Sequence, residues 1–326
     1  MQNRTAELLS ITFFFLLLNN SLHADALTQY RKNGIQNIAK QMDLDLANEK
    51  YWNNYLQDID THFGYIESYK NILACDKSNS TLTLYTKDAN NSYTIIKDYN
   101  AFTGKIKGDK AREGDLKTPT GIYKLVKKLS KVDSFYGPMA FVTSYPNSYD
   151  KYLHKNGSGI WIHGLPLTQD RDSYTKGCIA INNPSIECLN RHIDIKETIL
   201  IINEEKRQKS VSKEALANVL AQIYAWRYAW LYNDISTYLN FYDETFLRFD
   251  GMDINNFSKY KTRIFKKNET KTILFNDINV IPYPGTDDIY KVTFFETYKS
   301  NSFSFTGEKV LILKLHNSKI KIITEK

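Results

Sequence analysis

The hydrophobic period of this chain changes three times, and each change sets a boundary that any fold must respect. From Leu27 to about Gly64, apolar positions recur at helical spacing: Ile35, Ile38, Met42 and Leu46, then Tyr51, Trp52, Tyr55 and Ile59. From about Tyr65 short β-branched and aromatic runs take over, "YKNILACD", "STLTLYTKD" and "NSYTIIKDY", with a hairpin connection at Lys87–Asn91. After the loop "TGKIKGDKAREGDLKTPTGIYKL", the segments "GPMAFVTSYPNSYD", "GIWIHG" and "GCIAI" read as further strands. "NNPSIECLNRHI" opens with an Asn cap and a Pro in the first turn, a helix start. "TILIINE" closes the unit as a buried strand.

The charged run "EEKRQKS", Glu204 to Ser210, marks the next boundary. Beyond it Ser212 caps a helix with apolar positions Leu216, Leu220, Ile223, Trp226 and Trp230. At that spacing Trp226 and Trp230 are packing residues first. Asp234 starts a second helix. Strand-like runs follow at Ile273–Phe275, Tyr290–Tyr298, Phe303–Phe305 and Val310–Leu315, ending in "KIKIITE". Helices followed by a curved antiparallel sheet make an α+β unit. The chain of 326 residues therefore divides into a helical segment over 27–64, a mainly β unit over 65–205 and an α+β unit over 211–326. The first piece is too small to bury its own core. It is expected to pack on another domain or on a second copy of itself, as a dimer.

Residues 1–26 read as a signal peptide. Arg4 supplies the positive start, "LLSITFFFLLL" (Leu8 to Leu18) is an apolar run too short to span a bilayer comfortably, and "HADA" ends in a cleavage pattern. An uncleaved anchor is the alternative. The expectation is export to the periplasm. The formal net charge is +7, but the basic residues are scattered and form no dense nucleic-acid patch. An anionic cell-wall polymer is the better partner.

Three cysteines, Cys75, Cys178 and Cys188, leave at least one thiol unpaired in an oxidising compartment unless it bridges chains. A metal site is the weaker reading, because Cys188, His192 and His154 lie at irregular spacing from His163 and Cys178. A Cys75–Cys188 bridge stays open and would leave Cys178 free. Nucleophilic catalysis is the third reading. Gly177 before Cys178 permits a tight turn that exposes the sulfur, and amides at Gly177 and Cys178 can face a developing oxyanion. In "IWIHG", alternation puts Trp161 and His163 on one face, and Gly164 lets the chain bend so that its carbonyl can orient the imidazole.

Ile162-His163-Gly164 followed by Thr175-Lys176-Gly177-Cys178 resembles the signature of the LD-transpeptidase (YkuD) catalytic domain. "KTPTGIY", Lys117 to Tyr123, and "FTG", Phe102 to Gly104, resemble its upstream segments. The resemblance covers about Tyr65 to Glu205. It implies a YkuD-type β-sandwich with Cys178 as nucleophile, His163 as base, the Gly164 carbonyl as orienting group, and an oxyanion hole at Gly177 and Cys178. No cofactor or metal is implied. Two positions depart from the common pattern: Lys176 and Ala180 stand where many members have His and Arg.

The layout is similar to the LD-carboxypeptidases that shape helical-cell bacteria, with a C-terminal NTF2-like domain and an N-terminal dimerisation arm. The implied activity removes terminal D-alanine from peptidoglycan stem peptides after meso-diaminopimelate, with Trp161, Lys176, Tyr145 and Thr175 as substrate contacts. A transpeptidase or lipoprotein–peptidoglycan amidase using the same Cys/His site is the first alternative. A wall-binding scaffold with an incidental cysteine is the second. The ligand of the C-terminal pocket is left open.

Overall fold

The computed structural model describes residues 27–167, 172–205 and 211–326. The expected signal peptide, and residues 206–210 of the charged run, lie outside the described residues.

A helix over 27–46 (α1) leads into α2 (Glu49–Tyr55), whose start is capped by Asn48 accepting from the Lys50 amide. Trp52 anchors this pair. Its indole N–H donates to the Leu46 carbonyl at 2.7 Å and its ring stacks on Tyr224 with centroids 5.3 Å apart. Tyr224 lies on α5 (Lys213–Leu231), so the N-terminal helices pack on the C-terminal unit and not on their sequence neighbour. β1 (Tyr65–Ile66), whose residues open the expected 65–205 unit, goes the same way. It pairs antiparallel with β10 (Lys271–Pro282), Tyr65 opposite Val280.

The central unit begins at Asn71. Its strands are β2 (Asn71–Asp76), β3 (Thr81–Lys87), β4 (Tyr93–Phe102), β5 (Gly121–Leu129), β6 (Ala140–Thr143), β7 (Trp161–His163), β8 (Ile179–Ile181) and β9 (Thr198–Asn203). They close in the order β2-β3-β4-β8-β7-β6-β5-β9, with β9 parallel to β2. The expected sandwich is present as two sheets that share β4 and β5 and so leave no edge open. Inward residues such as Leu73, Leu84, Phe141, Ile162, Ile179, Ile181 and Leu200 fill the interior. The short α3 (Ser148–Tyr152) follows β6; α4 (Asn183–His192) adds Ile186 and Leu189, and starts where predicted, with Asn182 accepting from the Ser185 amide.

In the C-terminal unit, Ser212 accepts from the Ala215 amide at 3.2 Å and starts α5. α6 (Ile235–Asn240) and α7 (Ile254–Phe265) follow. β10 then meanders through β11 (Ile289–Ser300), β12 (Ser304–His316) and β13 (Lys319–Glu325). The stretch from the second residue of the 303–305 run through the 310–315 run forms one strand, β12. A register shift between Asn276 and Asn279 bends β10, giving the sheet its curve. Trp226 is fully buried under that curve.

A shared apolar cluster joins the two units. Ile72, Ile122, Ile199 and Ile201 of the barrel meet Ile281, Tyr283, Ile289, Ile312 and Ile323 of the other sheet. Burying each isoleucine stabilises by about 1.5–3 kcal/mol. The Asn147 amide donates to Tyr283 Oη at 2.8 Å and to the Ile122 carbonyl at 3.0 Å across the same junction. Among the described residues no helix is long and apolar enough to cross a membrane.

Candidate active site

β7 and β8 are parallel neighbours, with Ile162 opposite Ile179 and His163 opposite Ala180. Paired strands put opposed residues on one face. Ile162, Ile179 and Ile181 therefore point into the core, while Trp161, His163 and Ala180 lie on the other face. Cys178 sits one residue before β8. It is two positions from the row that holds His163, about 8 Å between Cα atoms from ordinary strand spacings. That span can be closed by a cysteine and a histidine reaching toward each other.

The row through His163 runs from Phe102 to Ala180 to His163 to Ala140. Both alanines are fully buried, so the imidazole is flanked on either side by a methyl group. His163 itself is 1% exposed. Its Nδ1 lies 2.6 Å from the Gly164 carbonyl. A carbonyl only accepts, so Nδ1 carries the proton and Nε2 is left as the basic nitrogen. Tyr136 packs edge-on against the ring at 5.0 Å and also touches Trp161 at 5.1 Å.

The loop before Cys178 is held by main-chain bonds. The Thr175 amide donates to Thr103 O at 2.7 Å, and the Lys105 amide donates to Thr175 O at 3.0 Å. Thr175 Oγ1 donates to Cys178 O at 2.7 Å and accepts from the Gly177 amide at 3.0 Å. Gly177 has φ +138°, and a Cβ there would meet the Lys117 carbonyl at 2.9 Å, so the position demands glycine. Cys178 is half-buried, and its Sγ–H donates to Gly159 O at 3.4 Å.

"KTPTGIY" lies beneath this loop. Thr118 Oγ1 accepts from the Gly104 amide at 2.8 Å. Lys77 Nζ donates to the carbonyls of Gly108 and Thr118 and forms an ion pair with Glu204. Asp115 accepts from Lys110 Nζ at 2.7 Å and from the amides of Ala111, Arg112 and Lys117. Burial raises its pKa, but these donors outweigh burial and hold it well below the ordinary aspartate range.

Cys178, His163, Gly164, Gly177, Trp161 and Thr175 thus come together, with Lys176 exposed beside them. Three expected roles change. Tyr145 is buried in the barrel core, its hydroxyl donating to Asn156 O at 2.9 Å, so it is not presented to a substrate. The Thr175 hydroxyl is engaged within its own loop. The Gly177 amide, expected in an oxyanion hole, already donates to that hydroxyl. Tyr136, Asn183 and Lys77 also shape the site. Only Asn183 left a sequence signal, and it read as part of a helix start.

Among the described residues Cys75 and Cys188 are not joined by a disulfide. Burial pushes the Cys75 thiol up to about 12. Among the described residues no group of three or more His, Cys, Asp and Glu comes together to hold a metal.

A second concavity of about 890 Å³ lies in the C-terminal unit, lined by Trp230, Tyr260, Lys261, Glu296, Tyr298 and Lys309 among others. Lys261 Nζ sits 4.7 Å from the centre of the Trp230 ring, and burial pushes its pKa down to about 8. Glu296 is 2% exposed, and its Oε1 accepts from no group among the described residues. Burial raises its pKa.

Residues 70–202 match the L,D-transpeptidase catalytic domain (YkuD), and residues 218–326 match the Cds6 C-terminal NTF2-like domain. The crystal structure of Pgp2, a helical cell shape determining protein from Campylobacter jejuni, is 36% identical with a TM-score of 0.79; the match covers 86% of this chain and 99% of that one. The chain belongs to the L,D-transpeptidase (YkuD) family, in its form with a C-terminal NTF2-like domain. Bd1075 of Bdellovibrio bacteriovorus is 28% identical with a TM-score of 0.66, covering 82% of this chain and 96% of that one. YafK of Escherichia coli (strain K12), named for the L,D-transpeptidases, is 33% identical over 113 residues. That match takes in 34% of this chain and 42% of YafK, less than half of its length. The YkuD match spans β2 to β8 and nearly all of β9, and so contains every strand that positions His163 and Cys178. Within this family frame the departures at Lys176 and Ala180 are concrete: one side chain is in solvent and the other is a methyl against the imidazole row.

Proposed function

We propose that this protein is a peptidoglycan LD-carboxypeptidase that works outside the cytoplasm and influences cell shape. The observation that carries the reading is the His163 Nδ1 contact with Gly164 O. It leaves Nε2 as a base on the strand beside Cys178. Cys178 gives its proton to His163 and its sulfur attacks the carbonyl at the L-centre of meso-diaminopimelate. The tetrahedral intermediate collapses, the C–N bond breaks, and D-alanine leaves with the proton from His163. Water, deprotonated by His163, attacks the thioester; the C–S bond breaks, and tripeptide and thiol are released. The Cys178 amide is the proposed oxyanion donor, and Trp161 and Lys176 are proposed substrate contacts. An amine in place of water would make the same site a transpeptidase.

The test is digestion of purified disaccharide tetrapeptide by wild type and Cys178→Ala, with products identified by mass. Tripeptide and free D-alanine from wild type alone support the proposal. Release by the alanine variant, or cross-linked products in place of tripeptide, would sink it. The N-terminal pattern in residues 1–26 and the wall substrate support export; a mature N-terminus near Leu27 in a periplasmic extract is the check. α1 exposes Leu27, Ile35 and Met42 at near-heptad spacing, which supports a homodimer through this helix. A monomeric mass for the full mature chain by light scattering would overturn that.

A further inference from the structure

The group that orients His163 is a carbonyl on a glycine, and a glycine peptide has no side chain to fix its direction. Something else must hold it. The next amide, Leu165 N–H, belongs to the same peptide unit as Gly164 C=O. It donates to Asn183 Oδ1 at 2.8 Å. A trans peptide is planar, with N–H and C=O pointing oppositely, so anchoring one fixes the aim of the other. On the far side of the same residue, the Gly164 amide donates to Tyr136 O at 3.0 Å.

Asn183 is itself well anchored. It is the first residue of α4, between the Asn182 cap and Pro184. Its Oδ1 presses so closely on the turn that a Cβ at Gly164 would meet it at 2.3 Å, and a Cβ at Gly137 at 2.5 Å. Two glycines are therefore accommodated to one amide oxygen.

We infer that Asn183 is a positioning residue: its side chain clamps the Gly164–Leu165 peptide so that the carbonyl holds His163 in the Nδ1–H tautomer with Nε2 available to Cys178. Hydrogen bonding at Leu165 N–H also polarises the Gly164 carbonyl and makes it a better acceptor. The relay runs from Asn183 through Leu165 N–H and Gly164 O to His163. It needs no carboxylate, unlike a Ser-His-Asp triad. This inference rests on the proposed Cys/His chemistry, but not on the identity of the substrate.

The test has two arms, both in a Cys188→Ser background with the mature protein. One follows the rate of Cys178 alkylation by iodoacetamide from pH 5 to 9. The other follows kcat and KM for D-alanine release. Asn183→Ala is expected to lower the alkylation rate at pH 7 and kcat by about 10- to 100-fold, the usual cost of losing such a supporting partner. KM should change little. Asn183→Asp keeps an acceptor oxygen and should recover most of both rates. Its added negative charge favours the imidazolium and should move the His163-dependent limb to higher pH. A folded Asn183→Ala within twofold of wild type in alkylation overturns the inference, as does Asn183→Asp with an unshifted limb. If Asn183→Ala fails to fold, Asn183→Ser, whose hydroxyl is too short to reach Leu165 N–H, replaces it with the same expected loss. If wild type releases no D-alanine while the alkylation arm behaves as stated, the substrate proposal fails and the role of Asn183 stands.

Discussion

The cleft at Cys178 and the concavity beside Lys261 are both polar sites on β scaffolds, but they hold their polarity by opposite means. Around Cys178 the positioning groups are uncharged and mostly main-chain: the Gly164 carbonyl on His163, backed by the Asn183 amide, the Thr175–Thr103 bond, and the glycine turn at Gly177. Around Lys261 the polarity is in side chains with formal charge. Lys309 Nζ approaches Glu325 at 3.3 Å, Tyr242 Oη donates to Glu325 Oε2 at 2.9 Å, and Glu296 keeps an oxygen with no donor among the described residues. Backbone and amide groups do not ionise, so at the first site the groups that position His163 hold their geometry without formal charge. The second stores unfavourable charge burial, which a ligand or a change of pH can relieve.

The sharpest way to break this contrast is at His163. His163→Gln should lower kcat/KM for D-alanine release by about 10²- to 10⁴-fold, the ordinary value of a positioned acid–base group. A loss under tenfold would mean that the backbone frame, without the imidazole, does most of the work. Gly177→Ala tests the frame itself. A side chain at φ +138° against the Lys117 carbonyl must displace the loop, and a shift near 1 Å costs about 10²-fold. Wild-type kcat in this variant would show that the turn is not needed to place the sulfur.

The charged concavity should report in stability. Lys261 is lowered from its ordinary 10.5 to about 8 by burial, against the opposing pull of Glu325. Between pH 8 and 10.5 the unfolded chain therefore binds a proton that the folded chain lacks, and stability rises with pH through this window. The contribution is about 3 kcal/mol at most. Lys261→Met should flatten the rise seen in urea unfolding; an unchanged slope would assign it to other groups, such as Lys291 at the domain junction, also lowered to about 8. The smallest effect is expected away from both sites. Cys188→Ser should leave D-alanine release within about twofold, because a small half-buried residue is readily replaced. In the same protein, Cys75 should alkylate at least about 100-fold more slowly than Cys178. Comparable labelling would remove the case for an activated thiol.

The same contrast explains what could be seen in the sequence. A backbone-built site writes itself in local spacing: glycine after His163, glycine before Cys178, and "KTPTGIY" beneath them. The changes of hydrophobic period likewise marked the helices and most strands. The charged site has no such record. Lys261 lies on α7, Glu296 on β11, Lys309 on β12 and Glu325 on β13, and only the meander brings them together. Asn183 was visible as part of a helix start, but its bond to Leu165 spans 18 residues and depends on how α4 leaves the barrel. Tyr145 sits in an aromatic run that fits a cleft wall as well as a core, and only closure of the barrel decides between them. β1 escaped because two residues have no period.

That short strand has a consequence in time. Glu67 accepts from the Ile278 amide across 211 residues of chain, and Tyr65 pairs with Val280 across a similar span. Such contacts form late, because the intervening loop must first be closed. β1 is thus among the last strands to pair, and its protection from proteases arrives only when β10 is in place. A chain arrested before β10 leaves β1 without its partner strand, so the pairing of Tyr65–Ile66 serves as a record of whether β10 was completed.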